Sequence, residues 1–205
     1  MKIIAIDGPS GVGKSTLAKK LSNHFNIPYL DTGKMYRAFS YLCLEKKIDL
    51  LNEKEVERVL PEYKEVFPSL SFEILNSEET GRGASIVAQY KKVREKMVYL
   101  QREFGIKNGA VVEGRDTTTV VFPETPFKFY IYAREEIRVW RRYRQIDGNW
   151  GKIALDIEER DKRDREREIS PLKFSPSSIP VDTSNLNENE VFKLFIKILK
   201  KMGFK

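Results

Sequence analysis

Short apolar runs alternate along the chain with stretches whose apolar residues recur at helical spacing. Lys2 to Ile6 is a run of the kind found in a buried strand, and the Gly-rich turn after it leads into Leu17, Leu21 and Phe25 at intervals of four. The opening therefore predicts strand, glycine loop and helix. Ile27-Pro28-Tyr29-Leu30 predicts a second short strand beginning at Pro28, followed by a helix from about Lys34 to Lys46 with Met35, Phe39 and Leu42 on one face. Glu53 to Tyr63 places Val56, Val59, Leu60 and Tyr63 together and predicts a helix, and Leu70 to Leu75 alternates as a half-buried strand does. From Ala84 to Phe104, Val87, Tyr90, Met97, Leu100 and Phe104 follow helical spacing loosely, and Ala110-Val111-Val112 after Gly109 predicts a buried strand.

Phe127 to Tyr132, aromatic and β-branched, predicts another strand, and the helix after it is expected to turn Ile137 and Trp140 inward. Asp147-Gly148-Asn149 breaks the chain before a strongly charged helix from Lys152 to about Glu168. Ser170 to Pro180, with its prolines, predicts a loop, Ile179 to Val181 a last strand, and the C-terminal Val191, Leu194, Phe195, Ile198 and Leu199 an amphipathic helix. Strands alternating with helices argue for an α/β fold, a mainly parallel sheet covered on both faces. No repeat or low-complexity tract interrupts the 205 residues, so a single domain over 1–205 is expected.

No run of about 18 apolar residues could cross a bilayer, and the first residues turn polar too soon for a secretory signal. The only cysteine, Cys43, leaves no internal disulfide and no cysteine-cluster zinc site. A cytoplasmic protein with no membrane association is expected, and Cys43 reads as a small core residue. The net charge of +7 favours anionic partners without separating nucleic acid from free nucleotides. Of the 15 arginines, nine lie between Arg134 and Arg167 and are interleaved with nine carboxylates, which favours defined ion pairs over a basic arm. No nucleic-acid partner is therefore expected, and a monomer is.

Gly8-Pro9-Ser10-Gly11-Val12-Gly13-Lys14-Ser15 has the phosphate-loop spacing and stands between a predicted strand and a predicted helix, as that motif requires. Its backbone N–H groups and the helix N-terminus suit phosphate. Lys14 would reach the β- and γ-phosphates of a nucleoside triphosphate, and the Ser15 hydroxyl would be a ligand of Mg²⁺. The acceptor of the phosphoryl group must be inferred from the rest of the chain. Arg160, Asp164 and Arg167 fall at i, i+4 and i+7 on the charged helix, with Arg163 beside them. Arg134, Arg138 and Arg141 repeat that spacing on the preceding helix, with Arg142 and Arg144 adjacent. Guanidinium forks match phosphate oxygens bidentately, so a helical hairpin over about 140–165 reads as a lid that closes on two anions. No general base stands out, because the single histidine, His24, sits beside Phe25 and reads as structural. A phosphate acceptor, already largely ionised at neutral pH, removes the need for one.

Four stretches carry a resemblance to a known family: Ile4 to Thr16; Tyr29-Leu30-Asp31-Thr32-Gly33-Lys34-Met35-Tyr36-Arg37; Glu113-Gly114-Arg115-Asp116 with Thr119 to Pro123; and Arg160 to Arg167 with Ser170-Pro171-Leu172. In that order they resemble bacterial cytidylate kinase. The resemblance implies a doubly wound parallel-sheet P-loop kinase with an acceptor-binding excursion, within about 34–105, and an arginine-bearing lid. It also implies transfer of the γ-phosphoryl of ATP to CMP or dCMP. By position, Gly8 to Thr16 would bind ATP, and Thr32, Arg37, Ser85, Arg94, Arg115, Asp116, Arg160, Asp164 and Arg167 would contact CMP. Lys14, Arg160 and Arg167 would act in catalysis, and Arg138, Arg141 and Arg142 would belong to the lid. Two departures stand out: Thr118 occupies a position where the family pattern has glycine, and the chain is shortened between Leu70 and Tyr90. Another small-molecule P-loop kinase of adenylate or shikimate type, or a nucleotide-dependent RNA-binding or regulatory protein, are the other readings.

Overall fold

The computed structural model describes residues 2–63, 71, 74, 75, 77–146 and 148–204. Five strands form one sheet: β1 (Ile3–Asp7), β2 (Tyr29–Asp31), β3 (Ala110–Gly114), β4 (Phe127–Tyr132) and β5 (Ile179–Asp182). All neighbours run parallel, in the order β2-β3-β1-β4-β5, so the first strand of the chain lies at the centre. Asp7 pairs in register with Gly114 on one side and Tyr130 on the other. The loops that leave the carboxyl ends of β1 and β3 therefore open side by side, where ligands bind in sheets of this kind.

Parallel strands require crossovers, and the helices that supply them cover both faces. On one face, Ile4, Ile6, Val111, Phe129 and Ile131 pack with Leu17 and Leu21 of α1 (Lys14–Phe25) and Phe195 and Leu199 of α8 (Glu188–Lys201). On the other, Ile3, Ala110 and Val112 meet Phe39 of α2 (Thr32–Glu45), Val87 of α4 (Glu78–Val87) and Met97 of α5 (Lys91–Asn108). Each fully buried side chain of this size stabilises the fold by about 1.5–3 kcal/mol. Several helices begin where a side chain accepts an orphan backbone N–H: Asp31 caps α2, Ser77 caps α4, and Asn187 with Glu190 forms a capping box on α8. His24 and Cys43 are structural, the first set edge-on between Phe25 and Phe192, the second buried on the core face of α2.

Several expected elements are corrected. The helix expected over Ala84–Phe104 is two helices, α4 and α5, broken at Ala88–Tyr90. The helix expected over Glu53–Tyr63 ends early: α3 covers Glu53–Arg58, and a 3₁₀ turn with Pro61 takes up Leu60–Glu62, since proline offers no N–H to the preceding turn. Ile74 and Leu75 lie in a helical turn, not a strand; Leu70, Phe72 and Glu73 lie outside the described residues. After β4, α6 (Glu135–Tyr143) and α7 (Trp150–Glu166) form the expected hairpin, whose Asp147 is also outside the described residues. Trp140 does not face inward: it is 48% exposed, and Val139 and Arg138 occupy the buried face instead. Arginine takes an inward position there because it is paired with Asp161. Among the described residues no helix is long and apolar enough to cross a membrane.

Candidate active site

The loop between β1 and α1 makes its tight turn because its glycines allow it. A Cβ on Gly8 would overlap the carbonyl oxygen of Ile131, and Gly11 has φ +76°, close against the backbone of Arg138. Lys14, the first residue of α1, is buried, and its ammonium donates to the carbonyls of Gly8 (2.8 Å) and Pro9 (2.7 Å). Burial and the neighbouring Arg115 guanidinium pull its pKa down to about 7. The Ser15 hydroxyl donates to Glu113 Oε1 at 2.5 Å, and the Tyr29 hydroxyl donates to the same oxygen at 3.1 Å. Burial, reinforced by Asp31, pushes Glu113 up to about 7.

Glu113 went unassigned in the sequence reading. The signal for it was an acidic residue at the end of the buried β3 run, but its use depends on β3 lying beside β1, a partnership across about a hundred residues that local pattern does not encode.

The second half of the site comes from α2, α4, α5, the end of β3 and α7. Arg115 Nε donates to Asp164 Oδ2 at 2.7 Å, and Arg167 lies 3.6 Å from Asp164 and 3.8 Å from Asp116. Burial would raise the Asp164 carboxyl, but Arg115, Arg160 and Arg167 outweigh it and hold the group low. Arg94, fully buried, pairs with Asp116, donates to the Ala88 carbonyl at 3.1 Å and lies over the Tyr36 ring. Ser85 donates to the Arg82 carbonyl (2.9 Å) and accepts from Arg163 Nε (3.0 Å). Arg37 donates to the carbonyls of Leu75 (3.0 Å) and Ser77 (3.3 Å), and Thr32 to that of Glu113 (2.8 Å). Arg160 differs from these: among the described residues its guanidinium makes no hydrogen bond or ion pair, and its Nε, like those of Arg94 and Arg138, is buried without a partner.

All nine acceptor-side positions named from the sequence, together with Ser10 to Thr16, line one cavity of about 1450 Å³. Gly8 and Pro9 contribute backbone behind it through Lys14. The lid arginines divide. Arg141 and Arg142 line the cavity, whereas Arg138 holds Asp161 and the Ser10 carbonyl (3.1 Å). Arg141 donates to the carbonyls of Val12 (3.2 Å), Thr183 (2.6 Å) and Leu186 (3.2 Å). Asp161, also missed in the sequence, accepts the Ser10 N–H at 2.8 Å. The hairpin is thus tied to the phosphate loop by charged hydrogen bonds. Thr118 needs no glycine conformation, for it is absent from the residues with positive φ, and its hydroxyl is used on Asp7 (2.7 Å).

A free Lys14 with a pKa near 7 is largely neutral at pH 8, and bound phosphates favour its charged form. Metal-free ATP is therefore expected to bind with net proton uptake at pH 8, and its affinity to fall as pH rises above about 7. Mg²⁺ acts oppositely if it displaces the proton of Glu113, so uptake near pH 7 shrinks when it is added. Calorimetry in buffers of different ionisation enthalpy measures both, and proton release by metal-free ATP would contradict the assignment of Lys14.

The cytidylate kinase family model matches residues 4–201. Cytidylate kinase of Clostridioides difficile (strain 630) is 39% identical over 202 residues, covering 92% of this chain and 94% of that one. Cytidylate kinase of Bacillus cereus (strain ATCC 10987 / NRS 248) is 37% identical, covering 96% and 95%, in an alignment of 213 positions. That exceeds the 205 residues here, so the Bacillus protein carries residues this chain lacks. A solved structure of an uncharacterized protein from Eubacterium ventriosum ATCC 27560 superposes with a TM-score of 0.60 at 15% identity, covering 97% and 98%, a likeness of fold. With the phosphate loop, the central parallel strand and the arginine-lined cavity in place, the chain belongs to the cytidylate kinase family.

Proposed function

We propose that the chain transfers the γ-phosphoryl group of ATP to CMP, and to dCMP, giving ADP and the corresponding diphosphate. The observation that carries this reading is the single cavity in which the phosphate loop, with Lys14, faces Arg115, Arg160, Asp164 and Arg167. A volume of about 1450 Å³ is larger than a single-ligand pocket needs and accommodates two nucleotides end to end. The triphosphate lies along the N–H groups of Ser10 to Thr16, with Lys14 leaving the carbonyls of Gly8 and Pro9 for the β- and γ-oxygens. Arg160, with its unpartnered Nε, reaches the transferring phosphoryl group, and Arg167 and Arg37 screen the acceptor phosphate so that two anions meet. No side chain has to remove a proton, because the acceptor oxygen belongs to a phosphate.

The pair of Ser15 and Glu113 fits Mg²⁺, a cation that takes one or two protein oxygens and fills its shell with phosphate and water. Held by Ser15 and Glu113, it would supply positive charge that offsets the charge developing in transfer. On the acceptor side, the Arg94–Asp116 pair and Ser85 offer donors and acceptors that suit the amino group, ring nitrogen and carbonyl of cytosine. For Ser85 to read the base, Arg163 must release it. The hairpin α6–α7 is the lid, its closure excluding water from the phosphates. The enzyme acts as one domain, a monomer in the cytoplasm. A reading as an RNA-binding protein is disfavoured by the arginines, which line the cavity and pair with acids.

The test is ADP production by the purified chain with Mg²⁺ and ATP, offering CMP, dCMP, UMP, AMP, GMP and shikimate separately. CMP and dCMP are expected to turn over at least about tenfold faster than the rest, one good polar contact's worth of discrimination. Equal turnover of UMP would overturn the assignment of Arg94, Asp116 and Ser85 while leaving the phosphate loop intact.

A further inference from the structure

Asp7, the last residue of β1, is fully buried and accepts four hydrogen bonds from a segment more than a hundred residues away. Oδ1 takes the N–H (2.9 Å) and hydroxyl (2.7 Å) of Thr117, and Oδ2 takes the N–H and hydroxyl (both 2.7 Å) of Thr118. Those threonines open a π-helical turn, Thr117–Val121, directly after Asp116. The Asp116 carbonyl receives the N–H groups of Val120 (2.8 Å) and Val121 (3.1 Å). At the far end of the turn, Arg102 of α5 donates through Nε to the Val121 carbonyl and through Nη2 to that of Val120, both at 2.8 Å.

A π turn is rare and strained relative to an α turn, and such turns concentrate at functional sites. Here it is gripped at both ends by charged groups, an expense of buried polarity far beyond what connecting β3 to β4 requires. Asp7 also immediately precedes Gly8, so the grip joins the root of the phosphate loop to the residue that follows Asp116. Neither Asp7, Thr118 nor Arg102 lines the cavity.

We infer that Asp7, Thr117, Thr118 and Arg102 are positioning residues that lock the turn and so aim the Asp116 carboxylate at the acceptor base. This rests on the reading of Asp116 as an acceptor contact. A carboxylate misaimed by an ångström loses its hydrogen bond to the acceptor, while Lys14 and the phosphate loop keep their places.

Thr118→Val keeps the shape of the side chain and deletes one donor to Asp7. It is expected to raise KM for CMP about tenfold, the size of one lost polar contact, with kcat and KM for ATP within about twofold. Thr118→Ser restores the hydroxyl and returns KM for CMP to the wild-type value. Arg102→Gln releases the other end from a half-exposed position without touching the core, and raises KM for CMP in the same selective way. Should Thr118→Val fail to fold, the Arg102→Gln result decides. Asp116→Asn is the reference. If it raises KM for CMP while both Thr118→Val and Arg102→Gln behave as wild type, the positioning role is wrong. If Asp116→Asn is itself without effect, the reading of Asp116 fails and the inference with it. A fall in kcat with equal rises in both KM values would mark the turn as merely structural and overturn the proposal.

Discussion

Replacing Lys14 with alanine lowers kcat by about 10³-fold, the upper range for removing one preorganised charge from a developing transition state. The ammonium is buried at the N-terminus of α1, and its hydrogen bonds among the described residues go to the two carbonyls at the root of the loop. Those carbonyls compete weakly with a triphosphate, and the depressed pKa, about 7, shows how poorly the site solvates the charge when no anion is there. The charge is therefore stabilised chiefly by substrate, and most of all when the γ-phosphoryl group is in flight. Circular dichroism and thermal melting of Lys14→Ala should match the parent, because truncation removes a desolvated charge and no packed apolar surface. A variant with kcat within tenfold of wild type would sink the catalytic role, and a lost melting transition would show that Lys14 holds the loop rather than the nucleotide.

The second large effect belongs to Arg160. Arg160→Ala should cut kcat by about 10²–10³-fold while changing KM for ATP and CMP less than about threefold. Its neighbours are already committed to protein partners: Arg115 to Asp164, Arg94 to Asp116, Arg138 to Asp161. Arg160, by contrast, makes no hydrogen bond or ion pair among the described residues, and its guanidinium is depressed by burial and then by Arg115. A buried guanidinium whose neighbouring carboxylates do not offset its desolvation is tolerated where an incoming anion completes it. Arg160→Lys tests geometry against charge. A point charge should recover only part of the rate, because it cannot grip two phosphoryl oxygens at once. A rise confined to KM, with kcat unchanged, would move Arg160 from the chemical step to binding.

The phosphate loop was legible in the sequence because everything it needs is consecutive: apolar strand, glycines, Lys14 and Ser15, helix. The arginine face of α7 was legible for a related reason, since i, i+4, i+7 spacing survives any tertiary arrangement, and Arg160, Asp164 and Arg167 do face the same cavity. What was lost is what depends on partners distant in sequence. Trp140 was placed inside by apolar periodicity, but an arginine whose charge is met by Asp161 can be buried where an unpaired one cannot, and hydrophobic pattern has no access to that pairing. The helix break at Ala88–Tyr90 went unseen because neither glycine nor proline marks it. Ser85 and Arg94 nevertheless line the same cavity from two different helices, so their shared assignment does not depend on one continuous helix. Glu113 and Asp7 gained their roles only when strand order put β1 beside β3.

Cys43 lies fully buried on the core face of α2, and burial pushes its thiol up to about 12, so at neutral pH it offers almost no thiolate to an alkylating reagent. The natural chain thus already serves as a labelling background with no reactive sulfur to remove. Cysteines introduced at Leu51, 75% exposed before α3, and Leu155, 61% exposed on α7, would be the two accessible attachment points for a fluorophore pair. The distance between excursion and hairpin then becomes a quantity that can be followed optically, molecule by molecule, through a catalytic cycle.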